Sequence, residues 1–196
     1  ASTDGSFVIK PSQGLGGNGI LVVKKRHHTQ KDVADNLRWV LMDGSKVGLD
    51  DLRMHALDIV EGRYSRNNIP DKALVEERVK IHPMFRKLGV SGTPDVHVIV
   101  FNKVPVMAML RLPTSESNGK ANLHQGAIGL GVDIATGITT YGVYKDQRIK
   151  YFPGTVRKVN GIAIPDWNRV LLTAVNAQVV AELGYVAVDM LIDEEK

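Results

Sequence analysis

The sequence predicts an α+β chain with a mainly antiparallel sheet. Two observations carry that expectation. The predicted elements run in the order hairpin, helices, hairpins, helix, strand. Apolar residues recur at helical spacing in only three stretches, while the other apolar runs are of strand length and come in pairs joined by turn residues.

Taken in order, Phe7–Val23 reads as a hairpin: an apolar strand ending in Lys10, a glycine-rich loop, and a second apolar strand. Lys31–Met42 is predicted to be an amphipathic helix, with Val33, Leu37, Val40 and Leu41 on one face. Leu49–Val60 is a second helix, because Leu49, Leu52, Ala56, Leu57 and Val60 repeat at helical spacing. A strand over Ala73–Val79 follows, then an irregular connector, His82–Pro94, punctuated by Pro83, Gly89, Gly92 and Pro94. Asp95–Phe101 and Val104–Arg111 form a hairpin across Asn102-Lys103. The polar loop Pro113–Asn122 leads to strands at His124–Asp133 and Thr139–Tyr144, linked by Ala135-Thr136-Gly137. A long helix is expected over Asp166–Leu183, with Gly184 just past its end, and Tyr185–Ile192 closes the chain as a strand.

Composition narrows the function. The 196 residues suffice for one large domain or two small lobes. With no cysteine there is neither a disulfide framework nor a thiolate metal site, which fits a reducing, cytoplasmic setting. The longest apolar runs, Val96–Phe101 and Val186–Ile192, are far too short to span a bilayer, so no membrane partner is expected. The net charge is +4 and the pI near 9.3. The one basic cluster, Lys24-Lys25-Arg26-His27-His28, reads as the solvated end of a strand, and a nucleic-acid partner is not expected. An anionic small substrate such as a nucleotide accounts for the basic excess equally well. Both ends, Ala1-Ser2-Thr3-Asp4 and Asp193-Glu194-Glu195-Lys196, abut core strands and look cut from a longer protein.

The chemistry starts at the first hairpin. Gly14, Gly16, Gly17 and Gly19 fall within six residues, giving a backbone that can fold closely over an anion with its N–H groups pointing inward. Lys10 can bring a compact positive charge to the same anion. Strand–loop–strand differs from a Rossmann turn or a Walker loop, both of which need a helix straight after the glycines. Near the other end, Asp189 sits mid-strand between Val188 and Met190, where a carboxylate is costly unless paired or metal-bound. Asp133, by contrast, reads as a turn residue ahead of Ala135-Thr136-Gly137.

In this order the motifs resemble the ATP-grasp superfamily, and within it the RimK-like, α-L-glutamate ligase-like branch. They are Val8-Ile9-Lys10-Pro11 with the glycine loop, Leu74-Val75-Glu76-Glu77-Arg78-Val79, Pro94-Asp95-Val96-His97, Met107-Ala108-Met109-Leu110-Arg111, Gly119-Lys120-Ala121-Asn122-Leu123-His124-Gln125-Gly126, and Gly184-Tyr185-Val186-Ala187-Val188-Asp189. The resemblance implies an ATP-grasp fold of two lobes, residues 1–77 and 78–196, with mainly antiparallel sheets and the nucleotide between them. It implies that Lys10 and the glycines Gly14, Gly16, Gly17 and Gly19 contact the phosphates of ATP. Glu77, Arg78 and Val79 would line adenine through backbone groups, and Asp95 would lie near the ribose hydroxyls. Arg111, Lys120 and Asn122 would serve the reaction centre, and Asp189 would bind Mg²⁺. His97 departs from the pattern, since relatives usually carry arginine there. The chain also stops before a Glu-x-Asn strand that completes the metal site in relatives, so the isolated chain is expected to bind nucleotide weakly and show no turnover.

The function so implied is an ATP-dependent carboxylate–amine ligase acting through an acyl phosphate, with a small-molecule carboxylate and amine as substrates. Two alternatives stand beside it. One is a nucleotide-binding module without ligase turnover, which His97 and the missing metal ligands favour. The other is a phosphotransferase or a sugar-transfer-associated relative that uses the same nucleotide site with a different acceptor.

Overall fold

The apolar strand pairs of the sequence assemble into two antiparallel sheets, one in each of the two units into which the chain divides, Ala1–Arg78 and Val79–Lys196. The computed structural model describes residues 5–14, 16–27, 37–88, 92–117 and 119–194.

In the first unit, β1 (Phe7–Pro11) and β2 (Leu21–His27) pair antiparallel, with Phe7 opposite Val23 and Ile9 opposite Leu21. Then come β3 (Arg38–Leu41), β4 (Lys46–Gly48), α1 (Leu49–Val60) and β5 (Ala73–Glu77). The strand order is β4-β3-β2-β1-β5. Helix α1 opens with Asp50 and Asp51 in its first turn, where carboxylates complement the helix dipole. Asp51 also reaches back to accept from the Gly48 N–H at 2.7 Å. Its Leu52 and Ile59 are buried with Ile9 and Val23, and Phe7, Leu21, Trp39 and Leu41 pack around them.

The predicted helix Lys31–Met42 is corrected here. Residues 28–36 lie outside the described residues, but Arg38–Leu41 is a strand paired with β2, Trp39 opposite Arg26. The aromatic and β-branched pair Trp39-Val40 suits a half-buried pleated surface, and pairing with β2 overrides the helical spacing read from the sequence.

The second unit begins with the short helix α2 (Pro83–Arg86), inside the stretch expected to be irregular. Its sheet holds β6 (Asp95–Phe101), β7 (Val104–Leu112), β8 (Ile128–Val132), β9 (Thr139–Tyr144), β10 (Gln147–Ile149) and β11 (Tyr185–Met190), in the order β10-β9-β8-β7-β6-β11. Helix α3 (Trp167–Ala181) covers one face. Val96, Val98, Val100, Leu110, Leu112 and Leu130 turn to that side and are buried with Trp167, Val170 and Ala174. Strand alternation sends Asp95, His97, Arg111 and Asp189 to the opposite, open face. Buried Gln178 on α3 secures the β6–β7 turn, accepting from the Lys103 N–H at 2.6 Å and donating to the Val100 carbonyl at 3.3 Å.

Several elements differ from expectation, by a residue or two at the ends of β5, β7 and β11 and by more elsewhere. β8 begins at Ile128, because Asn122 caps a single turn of tight helix over Leu123–Gln125. α3 ends at Ala181 with Glu182 in the left-handed region, whereas Gly184 directs its carbonyl to the Asn102 N–H at 2.9 Å. β10 was absent from the sequence reading, its three residues being too few to show a period.

Candidate functional site

The expected site residues fall into two groups, one on each unit. In the first unit, Val8 and Lys10 share the sheet face with Glu76, since Val8 lies opposite Glu76 and Lys10 opposite Leu74. Lys10 Nζ lies 2.7 Å from Glu76 Oε2, an ion pair about as exposed as it is buried. Such a pair adds little stability, so Lys10 can exchange Glu76 for another anion at small cost. Glu76 is not among the expected site residues, because its place beside Lys10 follows only from the register of β1 against β5.

The glycine loop divides by role. Its base is fastened: Gly14 bridges to Ser65, the Gln13 N–H donates to buried Asp71 at 2.8 Å, and a ring nitrogen of His55 lies 2.9 Å from the Gly19 carbonyl oxygen. Gly19 has φ +77° and lies against Tyr64, whose Cγ would be 2.6 Å from an added Cβ. Gly14 is equally confined, with Pro11 Cγ at 2.4 Å from an added Cβ. Gly16 also has positive φ but faces open space. Gly14 and Gly19 therefore serve packing, whereas Gly16 leaves its side of the loop open.

At the end of this unit Glu77 closes β5 opposite Phe7, and Arg78 donates from Nη1 to the Lys24 carbonyl at 3.4 Å. Val79 is the first residue of the second unit.

In the second unit, four open-face side chains form one network. β11 lies beside β6 with Asp189 opposite His97, and β6 lies beside β7 with Asp95 opposite Arg111. Arg111 donates to both oxygens of Asp95, Nε to Oδ1 at 2.6 Å and Nη2 to Oδ2 at 2.7 Å. Its Nη2 is also 2.7 Å from Asp189 Oδ2, and Asp189 Oδ1 is 2.5 Å from His97 Nδ1. Two carboxylates thus share one guanidinium, and Nη1 is the nitrogen that neither takes.

The two carboxylates differ because their surroundings do. The Asp95 side chain is only 13% exposed, and burial pushes its carboxyl above the ordinary range against the pull of Arg111, with the Asp189 charge adding to the rise. Asp189 is 57% exposed. Burial acts on it in the same direction, but hydrogen bonds from His97 and Arg111 outweigh burial and hold it below the ordinary range. With Asp189 ionised, His97 Nδ1 is the donor. Burial also works against the Arg111 cation, yet the hydrogen bonds to Asp95 and Asp189 prevail and keep it firmly protonated. Asp189 was expected to be costly in its strand unless paired. It is paired, and its face is open.

The loop after β7 is brought to the same face. Gly129 lies opposite Arg111, and Leu123 Cδ2 sits 3.0 Å from where a Gly129 Cβ would be. Leu123 follows Asn122, whose Oδ1 accepts from the His124 N–H at 3.0 Å. The loop is fixed by Thr114, which donates to the Gly126 carbonyl at 2.8 Å, and by buried Ser117, whose carbonyl accepts from the Lys120 N–H at 3.0 Å. Asp133 holds its own turn, with Oδ1 accepting from the Thr136 N–H and hydroxyl at 2.8 and 2.7 Å.

Two α+β units with antiparallel sheets are the fold class that the ATP-grasp resemblance implies. The chain belongs to the ATP-grasp superfamily: the family model for sugar-transfer associated ATP-grasp proteins matches it over residues 1–196, and ATP binding comes with that membership. No curated protein and no solved structure matched the chain.

The family also implies Mg²⁺. Among the described residues, no group of three or more His, Asp or Glu side chains is placed to hold a metal ion. Asp189 already faces two nitrogen donors, one of them on a cation, and Asp95 has both oxygens on Arg111. Asp189, ionised and half-exposed, is the residue that would reach a Mg²⁺ held by nucleotide phosphates, at the cost of its contacts with Arg111 and His97. No helix among the described residues is long and apolar enough to cross a membrane.

Proposed function

We propose that this protein is an ATP-dependent ligase that joins a carboxylate to an amine through an acyl phosphate. A carboxylate oxygen of the first substrate attacks the γ-phosphorus of ATP, and ADP leaves. The amine then attacks the acyl carbon, phosphate leaves, and an amide forms. The observation that carries this reading is the Arg111 clamp. Three contacts from two carboxylates fix the guanidinium, and a donor already in place costs no reorganisation as charge spreads over the transferring phosphoryl oxygens. Because Asp95 and Asp189 offset its charge, Arg111 acts as a local donor of fixed direction more than as a long-range attractor.

Lys10, Gly16 and Gly17 are assigned to the phosphates, and Glu77, Arg78 and Val79 to adenine. Lys120 and Asn122 are assigned to the substrate side of Arg111, supported by the contact of neighbouring Leu123 with the Gly129 position. The resemblance to RimK-like proteins makes glutamate the first carboxylate or amine to try. A second reading, transfer to a saccharide-bearing acceptor, is favoured by the description of the matched family. Release of ADP by the full-length protein, measured over panels of amines and carboxylates, tests the proposal. ADP release should require a carboxylate, and amide formation an amine. ADP release indifferent to both would contradict it.

A further inference from the structure

The open face of the second sheet carries another set of charged side chains at its far end. Arg111 lies opposite Gly129, Gly129 opposite Val143, and Val143 opposite Arg148. Arg148 therefore stands in the same row as Arg111, three strands away, roughly 14 Å at the usual strand spacing. Gly129 contributes no side chain to that row.

Beside Arg148 lies a cleft of about 620 Å³ whose lining includes Tyr141, Arg148, Lys150, Tyr151, Lys158 and Asn160. Tyr141 and Tyr151 are both about half exposed. The Arg148 guanidinium lies 4.9 Å from the centroid of the Tyr141 ring, so part of that ring is already covered. Among the described residues, no carboxylate forms an ion pair with Arg148, Lys150 or Lys158. These cations are held on ordered backbone. Tyr151 bridges to Lys158, the Val159 N–H donates to the Lys150 carbonyl at 3.1 Å, and the Thr139 hydroxyl fixes the Val159 carbonyl at 2.8 Å.

Three unpaired cations on one cleft repel each other and attract an anion. The half-exposed Tyr151 ring adds a flat apolar surface with a hydroxyl at its edge. A pyranose ring matches that surface, because its C–H face is apolar and its rim carries hydroxyls that Asn160 and the phenols can meet. A nucleic acid strand would also use stacking and cations, but it needs a basic track beyond one cleft. Here the one run of basic residues, Lys24–His28, belongs to the first unit and not to this cleft, the other basic residues are dispersed, and the net charge is only +4.

We propose that the Tyr141–Arg148–Lys158 cleft binds an anionic saccharide, stacked on Tyr151 with its carboxylate or phosphate held by Arg148, Lys150 and Lys158. This rests on the second reading above, transfer to a saccharide-bearing acceptor, but the test measures binding without turnover, so the two can fail separately. Calorimetry on the full-length protein would compare a galacturonate oligomer, a hexose 1-phosphate, the matching neutral saccharides, inorganic phosphate and oligo(dT) of equal charge. One anionic saccharide should bind, and which one does identifies the acidic group. Neutral saccharide, phosphate and oligo(dT) should each bind at least about tenfold more weakly. The double variant Lys150→Glu/Lys158→Glu should weaken saccharide binding by about tenfold or more, and Tyr151→Ala by about tenfold, with ATP affinity unchanged. These positions are exposed, and an unshifted melting temperature would confirm folding. Equal or tighter binding of oligo(dT), equal binding of phosphate alone, no saccharide binding, or binding indifferent to the variants would each overturn the proposal.

Discussion

Arg111 is the residue to which the proposed ligase reaction assigns the chemistry, and its neighbours dictate how it should respond to substitution. Lysine at this position keeps a charge but loses the fork that satisfies both Asp95 oxygens. Arg111→Lys is therefore expected to lower kcat by about tenfold or more while leaving ATP affinity nearly intact, because the donor is needed most in the transition state. Steady-state kinetics with separate nucleotide titration would show this. A change confined to the KM for ATP would make Arg111 a ground-state ligand instead. The paired carboxylates give a second test at this scale. Asp189 is held below the ordinary aspartate range, so it stabilises the fold above that range and the contribution is lost as pH falls through its lowered value. Asp95 is pushed up by burial, so its contribution has the opposite sign: present below the ordinary range, lost as pH rises through its raised value. Denaturant unfolding of Asp189→Asn and Asp95→Asn across acid pH should thus diverge from the wild type with opposite slopes. Slopes of the same sign would refute the asymmetry.

At the scale of elements, the glycine hairpin separates confined glycines from the open Gly16, which the proposed function assigns to the phosphates. Gly19→Ala meets both a left-handed backbone and the Tyr64 ring, and should cost about 2–4 kcal/mol of stability. Gly16→Ala meets only the backbone penalty, about 1–2 kcal/mol, and should weaken ATP binding more than it weakens the fold. Thermal melts read beside nucleotide titrations would separate the two, and equal losses of stability would contradict the division. The elements that were legible in the sequence were those with a clear period. Leu49–Val60, Asp95–Phe101 and Thr139–Tyr144 lie where their apolar spacing put them. Arg38–Leu41 was misread because a four-residue strand next to Leu37 imitates helical spacing, and only its partner strand decides the matter. The site was legible as a set of residue types but not as contacts. Nothing local in the sequence says that Asp189 faces His97, because that pairing joins residues 92 apart. Likewise Arg148 shows its place in the Arg111 row only once the register of four strands is known.

At the scale of the whole molecule, each unit has its own sheet and its own buried cluster, and each carries part of the residue set that the family resemblance assigns to ATP chemistry. Membership in the ATP-grasp superfamily brings nucleotide binding, and the Arg111 clamp is the feature of this chain that favours carboxylate activation over binding alone. An acyl phosphate is electrophilic and can be intercepted before the natural amine arrives. The most direct measurement is therefore hydroxylamine trapping by the full-length protein with ATP and a carboxylate panel, with ADP quantified alongside the hydroxamate. Hydroxamate and ADP should form in equal amounts, dependent on the carboxylate and reduced about tenfold or more by Arg111→Lys. ADP formed without hydroxamate, or hydroxamate unaffected by loss of Arg111, would contradict carboxylate activation at this site.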